Sequence, residues 1–469
     1  MIIIPLRSAS VKEVREVKAT KNLTEGNVYR NMLLYTVPLI LSSVLALSYS
    51  TIDGMIAGRF IGAFAMGAVS ATSAFNAFVN AIIIGISEGF AIYASQLFGQ
   101  KEYTSIKKSI VSMTWFVGVL SLLLSGLVIL FRGAILDFLN VDPVLRADTE
   151  RYFLVYAAGY VVYFVNKFLS TALQALGISS FTVYVTLLSA ILNVAGNLLT
   201  VLVLDMGVAG LALSTLVSAL AVTVFYFIML HRAFCEMPTA SVSLRPRLFV
   251  MRRSAGFTLP VTVQKVAFLG IGLVIAPAVN GLGAAATTAY GIANQVYSIG
   301  VMTLWAATSA FACYTGQAMG EGNTKKIRRG MRIGFEINGA LMLPVVLAIS
   351  IFARPIVSIF FPEGYVGEAF DYAFRYARIF APLIFVQLVN HILHAYLRGI
   401  GKVKLVLWTT LVGGISRVAL TLWLIPLMNL EGVFLAEVLS WGIDALICFV
   451  CYVWKYRTDA QLARIIASK

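Results

Sequence analysis

The stretch "RYFLVYAAGYVVYFVNKFLSTALQALG" (151–177) returns later in the chain as "RYARIFAPLIFVQLVNHILHAYLRGIG" (375–401). Nine of the 27 positions are identical, among them the opening Arg-Tyr, the Asn and the final Gly. Apolar helices resemble one another by chance, but chance does not keep polar and glycine positions in register. A second match runs beside it. "QLFGQKEYTSIKK" (96–108) aligns with "QAMGEGNTKKIRR" (317–329), and Pro38 falls on Pro260 near the start of each half. The chain therefore reads as two copies of one unit.

Each unit is built for lipid. The chain is 59% hydrophobic and 12% charged, outside the usage of soluble domains. Apolar runs cover about 32–53, 64–90, 110–131, 152–176, 182–204, 208–230, 257–279, 285–313, 335–360, 376–397, 404–427 and 432–454. Each can cross a hydrocarbon core of roughly 30 Å as a helix. The alternation expected of a membrane β-barrel is missing from runs such as "LSLLLSGLVILF", and lipid allows only helices or closed barrels. The expected fold is all-α, with twelve transmembrane helices in two six-helix bundles. An even number per unit makes the repeats parallel, related by a pseudo-twofold axis along the membrane normal. That arrangement is a transporter signature, with its site at or near the repeat interface. The expected organisation is a tail at 1–31, a first lobe at 32–230, a basic linker at 231–255, a second lobe at 256–454 and a tail at 455–469.

The net charge of +15 follows topology. With both termini cytoplasmic, 26 of the 36 Lys and Arg fall in the inner segments and 7 in the outer loops, the positive-inside bias. The distribution argues against nucleic acid and for a multi-pass protein of the cell's inner (plasma) membrane. The start "MIIIPLRSAS" lacks the charged leader of a cleavable signal peptide. Four cysteines form no disulfide framework, and Cys448 and Cys451 read as packing residues. No Walker motif, nucleophile elbow or HExxH occurs, so neither ATP-driven nor enzymatic chemistry is expected.

Ionisable groups inside the helices mark function. "SYSTIDGMIAGRF" (48–60) places Asp53 in a long apolar helix, with Tyr49 one turn earlier. One reading pairs Asp53 with Arg59 at the outer interface. The other faces it into a water-filled cavity, where it alternates between a proton and a cation. Asn193 and Asn197 share one helix face at i, i+4, and Ser214 and Thr215 lie on the next helix. The second lobe answers with Ile275 at the Asp53 position, Arg417 at Asn193, Thr421 at Asn197 and Glu437 at Thr215. An internal Arg417–Glu437 ion pair is expected there, which leaves only the first lobe's pocket open. Lys167 and Lys265 fit either snorkelling or lining the cavity. Glu88 and Arg398 are expected near the cytoplasmic ends. Asp444 is expected to bond a neighbouring helix. His391 and His394 lack the carboxylates of a metal site, and "GLGAAA" (281–286) reads as a turn.

At these residues the chain resembles the multidrug and toxic compound extrusion (MATE) family. "VPLILSSVLALSYSTIDGMIAGRFIGAFAMGAVS" (37–70) is similar to that family's first helical pair, with a proline and an acid fifteen residues on. The repeated Q-x-x-G turns and "GVFLAEVLSWGID" (432–444) are similar as well. The resemblance implies a V-shaped pair of bundles and ion-driven export of organic, often cationic, compounds. It implies a proton or sodium site at Asp53, Tyr49, Asn193, Asn197 and Thr215, with Asn166 as a further cavity residue. Asn197 stands where the family often has Asp. One carboxylate fewer disfavours a dehydrated sodium ion, so protons are the expected coupling ion. Phe268 and Gln387 occupy the positions where a second branch carries acids. No cofactor or metal is expected, and the protein is expected to work as a monomer. The alternative is a lipid-linked oligosaccharide flippase of the same superfamily, which a broad cationic central cavity would favour.

Overall fold

A computed structural model describes residues 22–56, 60, 61, 63–139, 141–239, 243, 245–361 and 367–467, without the side chains of 47–51, 54, 63, 64, 66, 70, 284, 299 and 381. No strand occurs among them. The first half holds α1 (Val28–Ile56), α2 (Ala63–Ala71), α3 (Ser73–Gly99), α4 (Tyr103–Leu130), α5 (Arg132–Phe138), α6 (Pro143–Ala158), α7 (Tyr160–Ala175), α8 (Ser180–Leu198) and α9 (Gly207–Glu236). The second holds α10 (Leu248–Asn280), α11 (Ala284–Gly320), α12 (Thr324–Ile351), α13 (Ala353–Ser358), α14 (Glu368–Arg375), α15 (Ile384–Gly399), α16 (Val403–Lys455) and α17 (Asp459–Ala467).

Among the described residues, nine helices are long and apolar enough to cross a membrane alone, and eleven spans result when two bent pairs count as one each. The pairs are α6 with α7, bent by 47°, and the α14 segment with α15, bent by 56°. The twelfth span comes from α16. Its 53 residues would stretch about 80 Å if straight, far beyond one bilayer. Asn429, at φ 52° and ψ −133°, breaks it into two. Pro426 just before the break gives up a backbone donor, and Gly432 just after it packs against the Leu424 carbonyl.

The repeat seen in sequence has a backbone cause. Lys101 and its counterpart Gly322 both take positive φ, 58° and 71°, and so do Gly177 and Gly401, 83° and 87°. At all four, the helix closes with a bond back across the turn. Glu102 donates to Leu97 at 3.0 Å and Asn323 to Ala318 at 3.2 Å; Ile178 donates to Leu173 at 3.1 Å and Lys402 to Leu397 at 2.8 Å. Glycine adopts this left-handed cap without strain. That is why the final Gly of the 27-residue match is kept in both halves.

Each lobe has its own core. Phe90, Phe153, Phe164 and Phe168 fill the first, and Phe311, Tyr314, Tyr396 and Phe434 the second. Large apolar side chains such as Leu122, Leu130, Trp408 and Ile415 point outward, as a lipid-facing surface requires.

The lobes meet closely at the end carrying the Q-x-x-G turns. A methyl group built on Gly99 would lie 2.0 Å from the Gln317 carbonyl oxygen, and one on Gly320 would lie 2.0 Å from that of Gln96. Gly85 and Gly89 lie as tightly against Thr262 and Thr258 of α10. Gln96 donates to the Gly399 carbonyl at 2.7 Å. Residues 22–25 seat over this seam. Leu23 is fully buried, its N–H donates to Gln317 Oε1 at 2.8 Å, and Thr24 and Asn22 bond Glu321.

Candidate functional site

Asp53 sits three residues before the end of α1, and its carboxylate faces α8. Asn197 Nδ2 donates to Asp53 Oδ1 at 2.5 Å and reaches Asn193 Oδ1 at 3.4 Å. Asn193 Nδ2 donates to Thr215 Oγ1 at 3.1 Å, and that hydroxyl donates to the Leu211 carbonyl at 3.0 Å. The i, i+4 spacing on α8 makes this relay possible, because it stacks both amides on one face. Asn197 Nδ2 is the branch point: it donates to the carboxylate on one side and to Asn193 on the other, from where the bonds run away from Asp53 to Thr215 and Leu211. Asn193 and Asn197 are buried, and Asn197 Oδ1 has no hydrogen-bond partner among the described residues. An orphaned buried carbonyl beside a carboxylate is an acceptor in wait for a proton or a cation. On the outer surface, Leu45, Ile52, Ile191, Val194 and Leu198 line an open apolar groove of about 460 Å³ where α1 and α8 meet. Tyr49 lies on α1, but its side chain is outside the described residues, as is all of Arg59.

The same positions in the second lobe hold the expected ion pair. Arg417 Nη2 lies 2.7 Å from Glu437 Oε1, with both side chains about nine-tenths buried. Thr421 and Ile275 are buried as well. Among the described residues Asp53 has no cationic partner, whereas the second lobe supplies its own counter-charge.

Asn166 does not join the relay. Its amide bonds Thr223 Oγ1 at 3.1 Å and the Ala219 carbonyl at 3.4 Å, tying α7 to α9. Sequence reading passed over a tyrosine ladder instead. Tyr152, Tyr156 and Tyr160 follow at i, i+4, i+8 across the α6–α7 bend. The Tyr152 and Tyr156 rings stack at 5.7 Å, and Tyr156 meets Tyr160 edge-on at 5.8 Å. Tyr152 stands within electrostatic reach of Asp53. Tyr160 donates to Asn76 Oδ1 at 2.6 Å. The spacing was visible, but in an apolar helix it looks like any packed face. A carboxylate beside aromatic faces suits an organic cation.

Other polar groups also find partners. Asp444 accepts from Asn390 at 3.0 Å and pairs with His394 at 3.1 Å, as its bonding to a neighbouring helix required. Cys448 adds a third potential metal ligand beside them, but Thr409 and these side chains already satisfy one another. Glu88 lies deeper than expected. It sits eleven residues inside the Gly99 end of α3, about 16 Å along the axis, so it is near mid-span. Its carboxylate pairs with Lys265 at 2.9 Å and Arg398 at 3.6 Å across the seam between lobes.

The MatE family model matches residues 38–199 and 260–423, one copy in each half. The chain belongs to the MatE family. It is thus a multi-pass membrane transporter of a multidrug efflux family and not an enzyme. Among its relatives is the probable multidrug resistance protein YoeA of Bacillus subtilis, 25% identical over 96% of this chain and 99% of that one. The multidrug export protein MepA of Staphylococcus saprophyticus is 24% identical over 58% of this chain and 60% of its own. The fold superposes on a solved outward-facing multidrug resistance MATE transporter with a TM-score of 0.85, covering 98% of this chain and 99% of that one at 17% identity. The MatE assignment agrees with the parallel repeat, the twelve spans and the Q-x-x-G turns described above.

Proposed function

We propose that this MatE transporter exports organic, drug-like compounds, cationic ones among them, in exchange for protons, with Asp53 as the coupling carboxylate. The contrast between lobes carries the reading: Asp53 ends an amide relay and has no cationic partner among the described residues, while Arg417 neutralises Glu437 at the matching place. The relay supports a proton switch. Ionised, Asp53 accepts from Asn197. Protonated, it becomes a donor, and a half-turn of the Asn197 amide offers it the unpartnered Oδ1. That turn reverses the α1–α8 bond and takes Asn197 Nδ2 away from Asn193 Oδ1, while protonation cancels the charge that holds a cation. Pro38 leaves α1 short of one backbone bond, which lowers the cost of bending.

In this reading the Q-x-x-G turns, residues 22–25 and both termini face the cytoplasm of the plasma (inner) membrane. The positive-inside count supports that orientation. The lobes correspond to residues 32–230 and 256–454, joined by the basic linker 231–255, and a single chain suffices as the working unit.

The experiment is ethidium efflux from sealed proteoliposomes, wild type against Asp53→Asn, under a proton gradient alone and a sodium gradient alone. Wild type should export under the proton gradient, and Asp53→Asn should lose that coupling while keeping its elution profile and thermal stability. Equal efflux by both proteins would refute the role of Asp53. Efflux under sodium alone would replace the proton with sodium.

A further inference from the structure

The seam between the lobes holds more positive than negative charge. Glu88 of α3 meets Lys265 of α10 at 2.9 Å and Arg398 of α15 at 3.6 Å, with about a third of the Glu88 and Lys265 side chains still exposed. Lys167 of α7 is exposed and within electrostatic reach of both Glu88 and Lys265, yet it forms no ion pair among the described residues. Arg398 Nη2 donates to Gln264 Oε1 at 2.7 Å, but its buried Nε has no partner. His391 lies one further step along α15 on the same side. Asp444 is also within electrostatic reach of Arg398, but His394 and Asn390 have taken it up behind the helix. One carboxylate therefore faces three cations, Arg398 from the last turn of α15 and Lys167 and Lys265 from deeper in their helices. Lys265 is about 25 Å from one end of α10 and about 22 Å from the other.

A structural tether would need one cation for one acid. The surplus, the exposed Lys167 ammonium and a buried Arg398 Nε–H without a partner among the described residues, is a binding arrangement for an oxyanion. We infer that Lys167, Lys265 and Arg398 form a substrate subsite for an oxyanion group, a carboxylate, sulfonate or phosphate, on an amphipathic molecule, with Glu88 as the internal competitor that the substrate displaces. The inference rests on the transport function proposed above. It adds a second polarity to that function: the Asp53–tyrosine region takes a cationic group, and the seam takes an anionic one. Zwitterionic and anionic amphiphiles become substrates beside cations. The oxyanion can come from a soluble organic anion or from a lipid headgroup.

The test uses the full-length protein in proteoliposomes with three probes: carboxyfluorescein, a fluorescently labelled phosphatidylglycerol scored by dithionite accessibility, and ethidium, which has no oxyanion. Lys265→Gln and Arg398→Gln should each slow the anionic probe about tenfold, the effect of losing one charge-assisted bond, while ethidium efflux changes less than about twofold. Glu88→Gln should accelerate the anionic probe by several-fold, a gain that misfolding does not produce. Response of carboxyfluorescein alone assigns the subsite to soluble anions, and response of the lipid alone assigns it to headgroups. Export of ethidium with neither anionic probe moved overturns the subsite and leaves the efflux reading intact. Equal slowing of all probes by Lys265→Gln and Arg398→Gln makes the cluster a tether and also overturns it. If no probe moves with wild type, the transport reading itself falls, and the subsite with it.

Discussion

Arg417 and Glu437 stand 2.7 Å apart at the positions that the pseudo-twofold axis assigns to Asn193 and Thr215, which are themselves joined by a 3.1 Å hydrogen bond. The same helix-to-helix contact is thus made twice, once by neutral groups and once by charges. The exchange puts a buried ion pair where the first lobe has only a neutral hydrogen bond.

The first prediction follows from the burial of that pair. Arg417→Met alone leaves Glu437 charged and unpaired, which should cost about 3–5 kcal/mol. The double replacement Arg417→Met with Glu437→Leu should recover most of the loss, because well-packed apolar groups often replace a buried pair at little cost. Unfolding by a graded denaturing detergent measures both. A single variant as stable as wild type would show the pair to be incidental.

The second concerns the seam. A methyl on Gly99 would meet the Gln317 carbonyl at 2.0 Å, against an ordinary contact of 3.4 Å or more, so Gly99→Ala must push the backbones apart by more than 1 Å. The variant should lose the conformation in which the lobes touch there. Spin labels at Glu102 and Lys325, both exposed at the turns, would report it as loss of the short-distance population. An unchanged distance distribution would mean that the seam yields elsewhere.

The third concerns residues 22–25. Burial works against the charge of Glu321, but hydrogen bonds from Lys326, Thr24 and Asn22 outweigh it and hold the carboxyl below its ordinary value of 4.5. A carboxyl lowered by folding contributes stability above its ordinary range and loses it as the pH falls through the lowered value. Seating of Leu23 should therefore be firm at neutral pH and loosen in acid below 4.5. Glu321→Gln should be loose throughout. Hydrogen exchange of the Leu23 amide, corrected for its intrinsic rate, reads this directly, and protection independent of both pH and Glu321 would contradict it.

How far the sequence reached depends on what kind of signal each feature leaves. The repeat was legible because Gly177 and Gly401 must both adopt left-handed caps, and a backbone demand survives when side chains drift. The Arg417–Glu437 pair was legible because two opposite charges in apolar helices have few ways to be satisfied. The relay from Asp53 to Thr215 was legible from amides four residues apart. The tyrosine ladder was not, since aromatic spacing on a membrane helix looks the same whether it faces a cavity or a core. Glu88 was misjudged in depth. Its distance from the Gly99 turn was countable, but the partners that let a carboxylate sit there, Lys265 and Arg398, come from the other lobe.

The filled pocket of the second lobe also has an electrical meaning. Arg417 and Glu437 cancel, so that pocket adds no net charge of its own to a transport cycle. With proton exchange at Asp53, a cycle brings one positive charge inward and takes the substrate's charge outward. Export of a monovalent cation is then electrically silent. Export of a neutral or zwitterionic compound moves one net charge, and the membrane potential adds about 2.3 kcal/mol per 100 mV to its driving force. Export of an anion moves two. The same protein would be blind to voltage with one substrate and driven by it with another, with the substrate's own charge setting the difference.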